Sequence, residues 1–250
     1  MSAAARRRPL GHWLAVAGFA IAILCVLAAA VSGLGYRAGL WHFRAGFMIL
    51  RVAFFASLAA AAISLLGLLL SGGARRAVIP AVAGLVIALG FAYVPWKWKQ
   101  TVDSLPYIHD ITTDTEDPPQ FVAAATLRRE GDHPIEYDGP EVAAQQKQAY
   151  PDLAPALFDA PRDKVFEAAR STLDSMGLEL SGADLATGRL EATHTSFWYG
   201  FTDDVVVRIT DSGQGTRVDV RSKSRVGRSD IGQNARRIRT FLERLRTEVQ

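Results

Sequence analysis

Aspartate and glutamate are absent from the first 102 residues, which carry ten Lys and Arg. All twenty-five acids fall in residues 103–250, where eighteen Lys and Arg leave a net charge of −7. The formal charge of +3 is therefore a cancellation between unlike halves, and the basic overall balance does not describe a nucleic-acid-binding surface. Cysteine occurs once, as Cys25, which excludes an intrachain disulfide and any multi-cysteine metal site. A phosphate-binding loop and a zinc-protease helix motif are also missing. Gly33, Gly35 and Ala38 imitate a dinucleotide fingerprint without the strand that should precede it. The spacing Gly227-x-Ser229-x-x-Gly232 misses a nucleophile elbow by one residue. No cofactor is implied.

What the first half does contain is three apolar runs. Residues 1–98 read as a membrane domain with transmembrane helices at about 13–32, 47–70 and 78–96, since a span needs about 20 apolar residues. Trp96 and Trp98, interleaved with Lys97 and Lys99, form an interfacial belt at the end of the third. The first run has an alternative: a cleavable signal peptide with Arg6, Arg7 and Arg8 as its basic end and Ala28, Ala29 and Ala30 as its cleavage site. Arg6, Arg7 and Arg8, with Arg75 and Arg76 in the second loop, outweigh Arg37 and Arg44 in the first. That bias places the N-terminus in the cytoplasm and the C-terminal half outside it, in a multi-pass protein of the bacterial inner membrane. The lipid bilayer is thus the first expected partner. Small residues at Ala53, Ser57, Ala60, Ser64 and Gly67 suit close packing, either within the three-helix unit or between copies as a homo-oligomer through the second span.

Residues 99–151 are polar and contain Pro106, Pro118, Pro119, Pro134, Pro140 and Pro151. They read as an extended linker, partly packed on the following domain, with a short helix near 141–148. His109, Asp110, Asp114 and Glu116 form its densest ligand-like cluster. Carboxylates with one imidazole suit a divalent cation, but the spacing matches no known loop, and Asp and Thr favour turns for local reasons.

Residues 152–250 read as an α+β domain. A strand is expected at about 153–159 and a helix over 161–176, followed by four strands in consecutive hairpins and a last helix. In the last hairpin, a loop at 212–215 sets Ile209 opposite Val218 and Val207 opposite Val220 on the inner face. It also sets Arg208 opposite Asp219 and Asp204 opposite Lys223 on the outer face, and opposite charges across strands support that register. These charges are then expected on a solvated face. Ser229 is the expected cap of the last helix, whose stripe of Ile231, Ala235, Ile238, Leu242, Leu245 and Val249 is long enough to cover a sheet. The fold class is an antiparallel sheet with two helices on one face, helix-grip-like, the alternative being ferredoxin-like.

Three segments have a recognisable pattern: Tyr150-Pro151-Asp152-Leu153-Ala154-Pro155, then Phe201-Thr202-Asp203-Asp204-Val205-Val206-Val207-Arg208, then 218–230 from Val218 through Arg221, Ser222, Lys223, Ser224, Arg225, Gly227 and Ser229 to Asp230. With Gly232, Asn234, Ala235, Arg237 and Ile238, they resemble the family termed domain of unknown function 1499, over about residues 107–247. The resemblance implies a widespread bacterial and plastid domain, often beside membrane helices. It implies no activity.

Candidate chemistry is sparse. His194 is the only histidine after residue 152 and faces inward; it could serve as a general base for Ser196 or Ser222, but a hydrogen-bonded core histidine is the simpler reading. The run Phe197-Trp198-Tyr199-Gly200-Phe201 either touches the bilayer surface or tucks its rings into the sheet–helix core, the latter being preferred. Arg221, Arg225, Arg228 and Ser229 lie around the start of the last helix. They form either an anion- or partner-binding site or a structural clasp in which Arg225 pairs with Asp230 or Asp203. The expected function is non-enzymatic: binding of a partner protein or a ligand of the cell envelope. The alternatives are a lipid- or small-ligand-binding domain of helix-grip type and a metal-assisted enzyme.

Overall fold

In a computed structural model of the chain, residues 3–213 and 215–250 are described, with side chains from residue 9 onward. The side chains of Arg6, Arg7 and Arg8, and Gln214 in the expected turn, lie outside the described residues. The chain forms two compact units. One comprises the residues up to Thr101 together with Phe197–Gly200; the other comprises Val102–Ser196 and Phe201–Gln250.

The first unit is built on three helices, α1 (Ala3–Arg37), α2 (Phe43–Leu70) and α3 (Arg75–Ser104). Each is long and apolar enough to cross a membrane. The small-residue stripe of α2 is buried along its whole length. Ala60 and Ala61 pack with Ala22 of α1 and Ala88 of α3. A Cβ on Gly67 would lie 2.5 Å from the backbone nitrogen of Ala15, so only glycine permits this approach of α2 to α1. The stripe therefore packs within the chain, one of its two expected roles. The opposite face of α2, with Phe47, Met48, Val52 and Phe55, is exposed.

Phe197–Gly200 of the aromatic run also belong to this unit, contrary to their expected place in the sheet–helix core. Tyr199 is buried, with its hydroxyl 3.1 Å from Ser32 Oγ, and Trp198 Nε1 donates to Ala30 O at 3.2 Å. Gly33 and Gly46 leave room for these two rings. The reason is local: aromatic rings with a polar atom find both apolar contact and a hydrogen-bond acceptor on these helices.

The second unit is an antiparallel sheet with helices. In chain order it contains β1 (Asp110–Thr112), α4 (Ala123–Leu127), α5 (Pro140–Ala149), β2 (Ala156–Phe158), α6 (Arg162–Ser175), β3 (Glu179–Asp184), β4 (Arg189–Thr195), β5 (Thr202–Ser212), β6 (Gly215–Ser224) and α7 (Gln233–Val249). The sheet order is β1-β6-β5-β4-β3, with β2 sharing the edge of β6 beside β1. The expected hairpin register is present: Ile209 faces Val218, Val207 faces Val220, Arg208 faces Asp219 and Asp204 faces Lys223. Among the described residues no helix interrupts β3 to β6, as a ferredoxin-like order would require.

On one face, Leu190, Ala192, Val205, Val207, Ile209, Val218 and Val220 pack against Val165, Phe166, Leu173, Ile238, Phe241, Leu242 and Leu245 of α6 and α7. Burying such side chains contributes roughly 1.5–3 kcal/mol each, and this layer supplies most of the driving force. The last helix starts later than expected. Its N-cap is Gly232, in the left-handed region at φ 73°. Asp230 supplies the capping acceptors, taking N–H bonds from Gly232 (2.9 Å) and Asn234 (2.6 Å). Ser229 only accepts from the Ile231 N–H at 3.2 Å.

The largest departure from expectation is residues 102–151. They carry β1, α4 and α5 and belong to the second unit, rather than forming an extended linker. Their middle part lies over the other face of the sheet, where Phe121, Ala124 and Ile135 pack on Val206. The face expected to be solvated is buried.

Candidate functional site

The outer positions of β4, β5 and β6 place Glu191, Asp204, Asp219, Arg221 and Lys223 on this second face, each at most 1% exposed. Ionised groups there are stable only if paired and hydrogen-bonded. The covering segment supplies the partners. Arg221 forms a bidentate pair with Asp110, Nε to Oδ1 at 2.9 Å and Nη2 to Oδ2 at 2.8 Å. It also donates to Pro119 O and Ile135 O and lies over the rings of Phe121 and Tyr137. Lys223 reaches Asp110 at 3.1 Å and Asp138 at 2.6 Å, and donates to Glu136 O. Asp110 of β1 thus serves both buried cations, and Asp138 of the cover serves Lys223 as well.

Two further clusters extend the pattern. Asp204 accepts from Arg225 (2.7 Å) and from Arg128 (2.9 Å) of the cover. Asp219 accepts from Arg208 and Arg217, which also meet Asp114 and, for Arg208, Asp117. Glu191 accepts the backbone N–H groups of Val122, Ala123 and Ala124 at 2.9–3.0 Å, holding the start of α4. Arg189 adds an ion pair to it at 3.2 Å.

On the helix side of the same end of the sheet, Asn234 is a hub. Its amide donates to His109 O and Ser224 Oγ at 3.0 Å, and its carbonyl accepts from Ser222 Oγ at 2.7 Å. Arg237 bonds Ser222, Asn234 and Asp203, and lies 3.3 Å from His194 Nδ1. Burial and the adjacent guanidinium hold the His194 pKa below its usual value. Burial pushes Asp230 upward, opposed by the N–H groups it accepts.

The two expected site clusters are dispersed by this arrangement. Of the cation ligands, Asp110 is held by Arg221 and Lys223, Asp114 by Arg217, and Glu116 by Lys147, while His109 stands beside Asp138. The four do not converge, and no group of three metal-ligating side chains occurs among the described residues. Of the anion-site residues, Arg221 is fully buried. Arg225 is a clasp, but onto Asp204 rather than Asp230 or Asp203. Only Arg228 is exposed.

Two of the buried polar atoms left without a hydrogen-bond partner, on His109 and Tyr137, lie at one rim of the cover. His109 Nε2 is 3.3 Å from Asp138 Oδ2, close enough for an ion pair but not aligned for a hydrogen bond. The His109 ring stacks on His133 with centroids 4.0 Å apart. The Tyr137 hydroxyl is buried without a partner, and burial, reinforced by the Asp110 charge, pushes its pKa up to about 12. Burial and His133 lower the His109 pKa. The rim residues His133, Tyr137 and Asp138, together with Glu191, Arg128 and Asn234, were missed by sequence reasoning. The available signal was the match between charged outward positions on two adjacent strands and the acids and basic residues of the presumed linker.

The elements that meet here are those over which the chain matches a family model described as "Protein of unknown function (DUF1499)", spanning residues 110–245. The chain belongs to the DUF1499 family. The matched region begins at Asp110, the first residue of β1, and so includes the cover as an integral part of the DUF1499 domain. No curated protein matches the chain.

Proposed function

We propose that this DUF1499 protein is a multi-pass protein of a bacterial inner membrane, with its N-terminus in the cytoplasm and its C-terminal domain outside it. We read that domain as a non-catalytic module that binds a partner protein or a ligand of the envelope. The observation that carries this reading is the saturation of its charged groups. Asp110, Asp204, Asp219 and Glu191 each accept from several donors that hold the cover in place. Proton transfer or metal ligation at them requires breaking the fold's own contacts. The orientation is supported by Arg6, Arg7, Arg8, Arg75 and Arg76 on one side of the first two spans against Arg37 and Arg44 on the other. A ligand held between sheet and helices would have to displace Phe166, Leu173, Ile238, Phe241 and Leu245, which fill that layer.

Two measurements test the proposal. A reporter fused after Gln250 is expected to be active only outside the cytoplasm, and cytoplasmic activity overturns the topology. Photo-cross-linking residues at exposed Arg228 and Leu180 in intact membranes are expected to give a discrete adduct. Failure to give any under several growth conditions overturns the binding reading.

A further inference from the structure

We infer that the outer edge of β3 docks an extended segment of a partner protein, apolar where it meets Leu180 and basic where it meets Glu179, which names the partner class for the binding reading above and depends on it. The sheet ends at β3, and among the described residues no strand pairs with it on the side away from β4. The opposite end of the sheet is closed. There Gln146 of α5 caps the edge of β1, donating from Nε2 to Thr112 O at 2.6 Å and accepting the Thr112 N–H at 2.9 Å. An edge without such a cap presents unpaired N–H and C=O groups to an extended chain. The inner face also runs out at β3. Leu190 and Ala192 of β4 are fully buried, whereas their partners Ala183 and Leu180 are exposed, Leu180 by 39%. Beside them lies a groove of about 450 Å³, in which Leu178 and Leu180 face Glu167, Arg170, Ser171 and Asp174 of α6.

Charge and backbone together select the occupant. Arg170 stands 3.9 Å from Glu167, and Arg189 stands 3.9 Å from Asp184. Asp174 and Glu179 are both exposed and have no ion-pair partner among the described residues. The edge and its groove are thus acidic. A second copy of the chain fits poorly. Antiparallel pairing of all six β3 residues with themselves sets Glu179 opposite Asp184 at both ends, and like charges directly opposite are destabilising. The β-bulge at Ser181, between the Leu180 and Gly182 pairings with β4, also discourages indiscriminate pairing. The same two acids favour a strand that carries Lys or Arg opposite them. Antiparallel to β3, such a strand sets one apolar side chain opposite Leu180, on the α6 side, and another opposite Ala183. Main-chain bonds to the edge then supply affinity, while the apolar and basic positions supply selectivity.

Hydrogen exchange of the full chain in detergent micelles tests this with the capped peptide Lys-Val-Thr-Thr-Val-Lys, whose lysines fall opposite Glu179 and Asp184, and with its analogue carrying Glu in both places. At twice its measured dissociation constant, the lysine peptide is expected to slow exchange about threefold at those amides of residues 179–184 that point away from β4, and to leave α7 unchanged. The glutamate peptide is expected to alter no rate. Glu179→Lys and Leu180→Ser, both at exposed positions, are each expected to weaken the lysine peptide by about twofold to tenfold. Absence of binding, equal binding of the two peptides, or binding that leaves those amides unprotected overturns the inference. Protection of the same amides that grows with protein concentration, without peptide, assigns the edge to a second copy and overturns this partner class. Photo-cross-linking in intact membranes separates the site from the binding reading. An adduct from Ala183 that Glu179→Lys diminishes supports both. An adduct from Arg228 and none from Ala183 overturns the β3 edge alone, and none from either overturns both.

Discussion

On one face of the DUF1499 sheet, Val207, Ile209, Val218 and Val220 meet the apolar stripes of α6 and α7; on the other, Asp204, Asp219, Arg221 and Lys223 meet the segment from Asp114 to Asp138. Both faces are buried, yet by opposite chemistry. The apolar face gains from any side chain of suitable size and shape, because its attraction is not directional. The ionic face gains little net stability from its pairs, since desolvation offsets most of the attraction, but an unpaired member is costly. It therefore specifies where the cover sits more than it drives folding. A single charge change there dislocates the segment, whereas a single methyl group lost from the apolar face lowers stability without moving anything.

The largest expected effect comes from breaking the central pair. Arg221→Met leaves Asp110 buried with Lys223 alone and is expected to destabilise the domain by about 3–5 kcal/mol. Joining it to Asp110→Leu should recover much of the loss, as thermal unfolding of the purified chain in detergent would show. A double variant no more stable than the single one would mean that the pair itself drives folding. Leu173→Ala on the apolar face is expected to cost about 2–5 kcal/mol, with no change in the exchange of the cover. Glu191→Gln weakens the three N–H bonds at the start of α4 and is expected to cost about 1–3 kcal/mol, with protection lost at 122–127 before anywhere else.

The pH dependence of stability sharpens the contrast between faces. His109 and His194 both have folded pKa values below the free value, so the unfolded chain binds more protons than the folded one as the pH falls. Their contribution is present above about pH 6.5 and is lost as pH drops from there through the lower folded values. Acid titration followed by circular dichroism should show this loss, and His194→Phe should remove only part of it. The smallest effect is expected at Arg239, whose bidentate pair with Asp152 is largely exposed. Arg239→Ala should cost under about 1 kcal/mol, and less at high salt.

Periodicity alone carries much of this fold. Apolar length marks three helices that can cross a membrane, and alternation in 189–195, 202–212 and 215–224 yields strands, the last two in the register that their opposite charges favour. These features are local in sequence, and a local pattern is readable. By residue type Ser229 and Asp230 are equally good caps, yet the N-cap position of α7 falls three residues after Ser229, at Gly232, and the acceptors come from Asp230. Only the backbone turn at Ile231 and Gly232, both at positive φ, decides between them.

What the chain's order of residues determined by itself was the identity of its elements, their pairing and the apolar face on which α6 and α7 sit. Whether the charged face of the sheet met water or protein was decided by tertiary structure. Asp110 and Arg221 are 111 positions apart, as are no residues that a helical or strand period can relate. Their pairing follows from β1 adding to the edge of β6 with Asp110 opposite Lys223. The three-residue strand that does this, Asp110–Thr112, has too few positions to show alternation. The same holds for His109 and His133, and for Phe197–Gly200 among the membrane helices. Each contact joins segments with no shared period, and only the folded chain brings them within reach.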